Sequence, residues 1–232
     1  QAVDQHADSD GGLARGLDVV LRTECFPRLR DVDEGLPMQK DTLFRIYSMT
    51  KPITTVAAMI LVEQGRFKLD DPVAQYLPEF NDITVYKDGK RVAAQHQMTI
   101  KQLMNHTAGF TYGYFGKTAV DAMYQKDHPL GRKTNMAMSK QLATYPLLFE
   151  PGARWHYSIA TDVLGALIER TSGQSLGDFF KQQIFDPLDM KDTGFFVPKD
   201  KVSRFASVYR QGHSLSDKYN SSDFLKEGRL QS

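Results

Sequence analysis

Leu43-Phe44-Arg45-Ile46-Tyr47-Ser48-Met49-Thr50-Lys51-Pro52, with the apolar run behind it, is the segment to which the rest of the chain is fitted. From Ile53 apolar residues recur at Val56, Ala57, Ile60 and Leu61, which predicts a helix with one buried stripe. Gly65 supplies the stop signal. Pro52 has no N–H to donate and fits only the first turn, so the helix starts near Ser48. Ser48 and Lys51 are three apart, which puts them on one face with their tips in mutual reach. A hydroxyl beside an amine at the end of a buried helix is the geometry of an activated serine nucleophile. A bare S-x-x-K is common by chance and usually marks a solvated helix terminus. Here the helix directly behind it is too apolar to be exposed, and that favours the functional reading.

The serine needs a base. Neutralising a lysine at pH 7, from a reference pKa of about 10.4, costs roughly 4–5 kcal/mol, and burial or a second cation must offset that cost. Tyr157 is the second candidate, standing just before a predicted helix between Trp155 and Ser158. A free tyrosinate costs about 4 kcal/mol, so neither group is the obvious base and a proton shared between Lys51 and Tyr157 is the economical scheme. On its own residues Tyr157 reads more readily as a half-buried tyrosine with a satisfied hydroxyl than as a base.

The 232 residues suffice for one large domain or two small ones with a sizeable core. With 41% hydrophobic and 25% charged residues the composition is that of an ordinary globular protein. A net charge of +1 gives no reason to expect nucleic acid or an anionic membrane as partner. No apolar run approaches the roughly 18 residues that span a bilayer. Residues 1–12 are polar and acidic and read as a loosely held leader without a signal peptide. Cys25, the one cysteine, allows neither an internal disulfide nor a cysteine-based metal site. A reducing compartment and a cytoplasmic location are therefore expected.

Along the chain, residues 17–21 form a short apolar run that pattern assigns to neither strand nor helix. Residues 22–42 are charged, with turn signals at Gly35 and Pro37. A turn at residues 68–72 precedes a short helix over 73–77, and residues 85–92 read as a hairpin turning on Asp88-Gly89. Thr99 is the N-cap of a short helix ending at Asn105, after which His106-Thr-Ala-Gly109 opens a glycine- and aromatic-rich loop through Gly116. Helices are predicted over 118–126 and 135–145, then a turn at Phe149-Glu-Pro-Gly152 and an extended Trp155-His156-Tyr157. Ser158 is expected to cap a helix striped by Val163, Leu164, Leu167 and Ile168 and stopped by Gly173. Another helix runs from Ser175 to about Phe185, followed by two candidate strands at 194–197 and 205–209 and a polar tail from Ser214.

Gly173-Gln174-Ser175-Leu176-Gly177 matches the G-x-S-x-G elbow of α/β-hydrolases, but that motif requires a strand before the serine. Here a helix precedes it and Asp178 follows at i+3, so Ser175 reads as an N-cap with an acidic first turn. The six histidines form no H-x-x-x-H or H-E-x-x-H pair, which leaves a zinc hydrolase without support. His106 and His156 read as loop braces, and Arg45 as a partner behind the site or a paired surface charge. No glycine-rich phosphate loop is present, and no metal and no cofactor are expected.

Together these pieces resemble the serine β-lactamase and penicillin-binding-protein superfamily, most closely its family VIII carboxylesterases. The matching stretches are Thr42-Leu-Phe-Arg-Ile-Tyr-Ser-Met-Thr-Lys51, Leu69-Asp-Asp-Pro-Val73 with Tyr76-Leu-Pro78, and Leu103-Met-Asn-His-Thr-Ala-Gly109. They continue in Phe149-Glu-Pro-Gly152, Tyr157-Ser-Ile-Ala-Thr-Asp-Val-Leu-Gly165 and Pro187-Leu-Asp-Met190, in matching order across residues 41–197. The resemblance implies Ser48 as nucleophile, Lys51 as its activating partner, Tyr157 as base, and an acyl-enzyme released by water. It implies an α/β (α+β) fold of the β-lactamase/transpeptidase type, an antiparallel sheet flanked by helices. In that fold residues 1–74 carry the nucleophile helix, 75–190 form a helical region with the tyrosine motif, and 191–232 begin the return to the sheet.

Three departures shape the expectation. Where class C β-lactamases have Y-x-N, this chain has Ile159, which offers no hydrogen bond to a lactam side chain and moves the reading toward esters. Residues 13–40 barely provide the N-terminal hairpin that should precede Leu43. The last motif, a K/H/W-x-G triplet on a strand, is absent; Lys191-Asp-Thr-Gly194 follows the Pro187-Leu-Asp-Met190 turn too closely and has one residue too many. That strand normally supplies one of two oxyanion donors, the other being the Ser48 N–H, and losing one costs about 10²–10³ in rate. A further C-terminal piece of the same protein is therefore expected.

The expected activity is hydrolysis of short-chain carboxylic esters, with Tyr112, Tyr114, Phe115 and Ile159 at the substrate. The loop bearing the three aromatics reads either as an acyl or alcohol pocket or as core packing. The partner is a small-molecule ester, with a homo-oligomer left open. The rivals are a β-lactamase, DD-peptidase or D-aminopeptidase of the same fold, and a binding protein whose catalysis is impaired.

Overall fold

The computed structural model describes residues 29–210 and 213–214. The leader, the 17–21 run, Cys25 and the tail beyond Ser214 lie outside the described residues. In chain order the elements are β1 (Leu29–Asp31), β2 (Leu36–Pro37), α1 (Thr50–Glu63), β3 (Thr84–Lys87), β4 (Lys90–Ala93), α2 (Ile100–Met104), α3 (Ala119–Asp127), α4 (Asn135–Leu142), α5 (Ala160–Ser172), α6 (Leu176–Phe180), β5 (Tyr209–Arg210) and β6 (His213–Ser214). Among the described residues the strands form three antiparallel two-stranded ribbons. Two compact units result, one of residues 29–44 and 200–214, the other of residues 45–199.

The first unit holds the hairpin that the sequence barely announced. Strands β1 and β2 pair across a turn in which Gly35 takes φ +63° and donates its N–H to the Val32 carbonyl at 3.3 Å. The Asp31 carboxylate gathers the unit: it accepts from Ser207 Oγ, from Tyr209 Oη at 3.1 Å and from the Glu34 N–H at 3.0 Å. Those bonds hold its carboxyl below the usual range. Leu43 donates to the Arg204 carbonyl at 2.8 Å and accepts from the Ala206 N–H at 2.9 Å, a single parallel bridge with Phe205 where a longer strand was expected.

The second unit is built on α5. From Ala160 to Ile168 every residue of that helix is buried, as befits a helix covered on all sides. It packs against α1, α2, α4 and α6. Its N-cap is Ile159 rather than Ser158; the Ser158 hydroxyl instead accepts from the Ala160 N–H at 3.3 Å. Gly173, at φ +73°, ends the helix as expected.

Helix α1 starts two residues after Ser48 and closes with Arg66 N–H on the Leu61 carbonyl and Gly65 N–H on the Val62 carbonyl, both at 2.9 Å, the Schellman pattern. Its buried face differs from the expected stripe. Thr54, Ala57, Ala58 and Leu61 are buried, whereas Val56 is 50% exposed. Two adjacent rows of this helix are apolar, and the row carrying the small Ala57 and Ala58 is the one that lets α5 approach closely.

The hairpin of β3 and β4 turns on Asp88 (φ +50°) and Gly89 (φ +78°), the paired positive angles of a type I′ turn. Thr99 caps α2 in a reciprocal capping box with Gln102, and Thr118 caps α3 in the same way with Asp121. The expected strand at 194–197 does not form. Phe195 packs on Phe180 with centroids 5.5 Å apart, and among the described residues no strand lies beside it to pair. No described helix is long and apolar enough to cross a membrane.

Candidate active site

Ser48 lies in a 3₁₀ turn, Tyr47–Met49, that feeds directly into α1. Tyr47 before it adopts φ +43°, a left-handed conformation costly for a bulky residue. Pro52 is the third helical residue, where its missing N–H leaves no bond unmade. The serine side chain stays exposed, at the mouth of the helix, with Lys51 one turn further on.

Tyr157 arrives from the segment between the Phe149–Gly152 turn and α5, which joins no strand. Its hydroxyl donates to Ser48 Oγ at 2.7 Å across 109 residues of sequence. The Lys51 ammonium faces both nearby phenol rings, with Nζ 5.4 Å from the Tyr157 centroid and 5.5 Å from that of Tyr112. Around Tyr157 stands a collar of rings: His106 at 4.9 Å, Tyr112 at 5.4 Å, Phe115 at 6.4 Å and Trp155 at 6.5 Å, centroid to centroid. Ser48 and Lys51, singled out by their spacing, and Tyr157, singled out by the family resemblance, thus meet in one place.

The aromatic loop is tied down from below. Asp121 accepts from Thr111 Oγ1 at 2.7 Å on one oxygen, and on the other from the Thr118 hydroxyl at 2.7 Å and the Thr118 N–H at 2.9 Å. Burial works against the charged carboxylate, yet these hydrogen bonds outweigh it and hold the carboxyl below the usual range. Gly116 passes so close that a Cβ there would meet Asp121 Oδ2 at 2.2 Å. The Thr111 hydroxyl in turn accepts from the Gly113 N–H at 3.0 Å, and Gly113 accepts from Gln125 Nε2 at 2.5 Å.

Beside this loop lies a cavity of about 290 Å³ lined by Tyr112, Tyr114, Tyr124, His128, Pro129, Leu130, Gly131 and Ile159. Burial, then the Asp162 carboxylate and the neighbouring Tyr157 and Tyr114, push the Tyr112 phenol well above its ordinary value. Its surroundings therefore favour the neutral hydroxyl. The same loop presents Tyr114 and Phe115 to solvent, 65% and 70% exposed, while Tyr112 packs against the core. Ile159 has no exposed surface and offers the cavity an apolar wall.

Several contributors were not legible beforehand. Trp155 carried no signal except its place two residues before Tyr157, and the 128–131 turn that walls the cavity carried none. The Asp162 charge felt at Tyr112 sits in the first turn of α5, where an acidic residue also suits the helix dipole. Arg45 is partly buried, which pulls its guanidinium below the ordinary value, with the Tyr47 phenol opposing. Ser175 caps α6: its hydroxyl accepts from the Asp178 N–H at 3.1 Å and donates to the Asp178 carboxylate at 2.6 Å, leaving it no nucleophilic role. Among the described residues no three His, Cys, Asp or Glu side chains converge as a metal site would require.

The chain is similar to several known proteins. Esterase EstB of Burkholderia gladioli is 38% identical over 192 residues, which is 79% of this chain and 46% of that protein. Among solved structures, EstCE1, described as a hydrolase with promiscuous acyltransferase activity, superposes with TM-score 0.67 at 34% identity over 80% of this chain and 48% of its own. Unliganded simvastatin synthase of Aspergillus terreus gives TM-score 0.67 at 27% identity, covering 87% of this chain and 53% of its own. The chain spans about half the length of the relatives it matches. The family model described as Beta-lactamase matches residues 12–223, and the chain belongs to that family.

Proposed function

We propose that this chain carries the nucleophile and base of a serine esterase of the family VIII type. The 2.7 Å contact between Tyr157 Oη and Ser48 Oγ, with the Lys51 ammonium against the tyrosine ring, carries the reading. In the reactive form the Lys51–Tyr157 pair has given one proton to solvent, leaving a tyrosinate beside the Lys51 ammonium. As Ser48 Oγ attacks the ester carbonyl carbon, its proton passes to that tyrosinate oxygen. Lys51 stabilises the negative charge that this oxygen bears, and the Ser48 N–H faces the developing oxyanion. Tyr157 hands the proton to the departing alkoxide, the alcohol leaves, and an acyl ester remains on Ser48. Water then repeats the cycle: Tyr157 takes its proton, the acid departs, and Ser48 recovers its hydrogen.

Short-chain carboxylic esters are the proposed substrates. Ile159 supports esters over lactams because its wall of the cavity has no amide to meet a lactam side chain. Cavities of about 150 Å³ hold a benzene ring, so 290 Å³ leaves room for a group well beyond an acetyl. In the full-length protein, a fluorophosphonate should label Ser48 stoichiometrically, and p-nitrophenyl butyrate should turn over faster than nitrocefin. Faster nitrocefin turnover would reverse the assignment to esters, and an unlabelled Ser48 would remove the enzyme reading.

The exposed rings of Tyr114, Phe115 and Trp155 favour a second reading, acyl transfer to an alcohol. Such a rim shields the acyl-enzyme from water and offers stacking surface to an apolar acceptor. The partition between acid and new ester, measured with butanol added to the assay, separates transfer from hydrolysis.

A further inference from the structure

We propose, on the strength of the esterase reading, that His106 is the positioning residue of this site, holding Tyr157 against Ser48 by gripping the backbone on both sides of it. The His106 carbonyl accepts the His156 N–H at 2.9 Å, and its ring Nδ1 accepts the Ser158 N–H at 3.4 Å. The residues immediately before and after Tyr157 are thus bound to one side chain and one carbonyl of the same residue. The imidazole also packs on the Tyr157 ring at 4.9 Å, inclined at 52°, so the grip extends to the phenol itself.

The grip depends on an unusual backbone. His106 stands at φ +60° just after α2, in the turn that reverses the chain toward the aromatic loop. Left-handed geometry is costly for most residues and tolerated best by Gly, Asn and Asp, with His also enriched. The turn is itself anchored, with Thr107 N–H on the Gln102 carbonyl at 3.0 Å and Gly152 N–H on the Thr107 carbonyl at 2.8 Å. A fixed anchor gripping a segment without secondary structure is what holds a catalytic phenol to a fraction of an ångström.

Nδ1 accepts only while the ring is neutral. The groups facing it are Lys51 from α1, and His156, Trp155 and Tyr157 from the segment it grips. Burial first, then the charges of Lys51 and His156, push the imidazole down to about 4, which keeps it an acceptor at neutral pH.

Two variants of the full-length protein test the role. His106→Asn keeps an acceptor oxygen close to where Nδ1 stands and tolerates positive φ; His106→Gly tolerates the backbone and has no acceptor. With p-nitrophenyl butyrate, His106→Gly should lower kcat and the rate of Ser48 phosphonylation about 10- to 100-fold with KM little changed, and His106→Asn should recover most of the loss. Equal rates in the two variants, or a loss confined to thermal stability, would overturn the proposal. If His106→Gly does not fold, His106→Asn decides alone: turnover near that of the parent supports the acceptor role, and a loss of about 10-fold or more overturns it. Turnover that survives Ser48→Ala would bring down the esterase reading and the role of His106 with it. Turnover that needs Ser48 but ignores the difference between the two variants would bring down the His106 role alone.

Discussion

At the scale of single residues, the phenol of Tyr157 has two separable jobs, one for its ring and one for its oxygen. The ring packs among His106, Tyr112, Phe115 and Trp155, and the oxygen meets Ser48. Tyr157→Phe keeps the first and deletes the second, so ester turnover should fall by about 10²–10⁴ while the thermal midpoint barely moves. Kinetics with p-nitrophenyl butyrate beside a thermal melt checks both halves. His106 makes a second prediction, in pH. Its ring titrates at about 4 in the folded chain against about 6.5 unfolded, so between those values the unfolded state binds more protons. Stability from this group is full above about pH 6.5 and is lost as pH falls toward 4. Urea midpoints at pH 7 and pH 4.5 should show a drop in the parent protein that His106→Asn reduces.

At the scale of elements, the loop of residues 111–118 owes its shape to one carboxylate in α3. Asp121→Ala removes the acceptor of Thr111 and Thr118 and leaves the buried Thr111 hydroxyl donor unpaired, a cost of about 1–3 kcal/mol. Because that loop carries Tyr112, Tyr114 and Phe115, KM for a bulky ester should rise more than for an acetate, and faster cleavage of the loop by a protease should accompany it. The turn before the loop is equally constrained. Gly109 stands at φ +93°, and a Cβ there would lie 2.5 Å from the Phe149 carbonyl oxygen. Gly109→Ala is therefore expected to destabilise by at least about 1–3 kcal/mol, read as a lower urea midpoint, since neither the angle nor the backbone oxygen can yield.

At the scale of the whole molecule, α5 is the piece on which the larger unit is assembled. Leu164 has no exposed surface and lies in the helix shared by α1, α2, α4 and α6. Leu164→Ala should cost about 2–5 kcal/mol, and the loss should appear as one cooperative shift of the urea transition of the larger unit. The same helix begins three residues after Tyr157, so core packing and the placing of the proposed base are one problem rather than two. The chain covers only about half of its relatives' length, and Val56 and Met59 on α1 remain 50% and 36% exposed.

Local chemistry was readable without coordinates because its causes lie within a turn or two. Thr99 and Ser175 cap helices through bonds to residues three positions on, Asp88-Gly89 turns a hairpin by its own backbone angles, and Ser48 and Lys51 share a face by helical geometry. Motif order carried the family and, by resemblance, the identity of Tyr157. Tertiary structure alone decided which apolar row of α1 faces α5, that Phe195 packs on Phe180 instead of extending a strand, and that a cavity opens between Tyr112, Ile159 and the 128–131 turn. It alone brought the Tyr157 hydroxyl to Ser48 across 109 residues and the His106 ring to the Ser158 N–H across 52. Pattern and propensity report a residue's near neighbours, whereas packing volume and long-range hydrogen bonds arise only when distant segments compete for the same space.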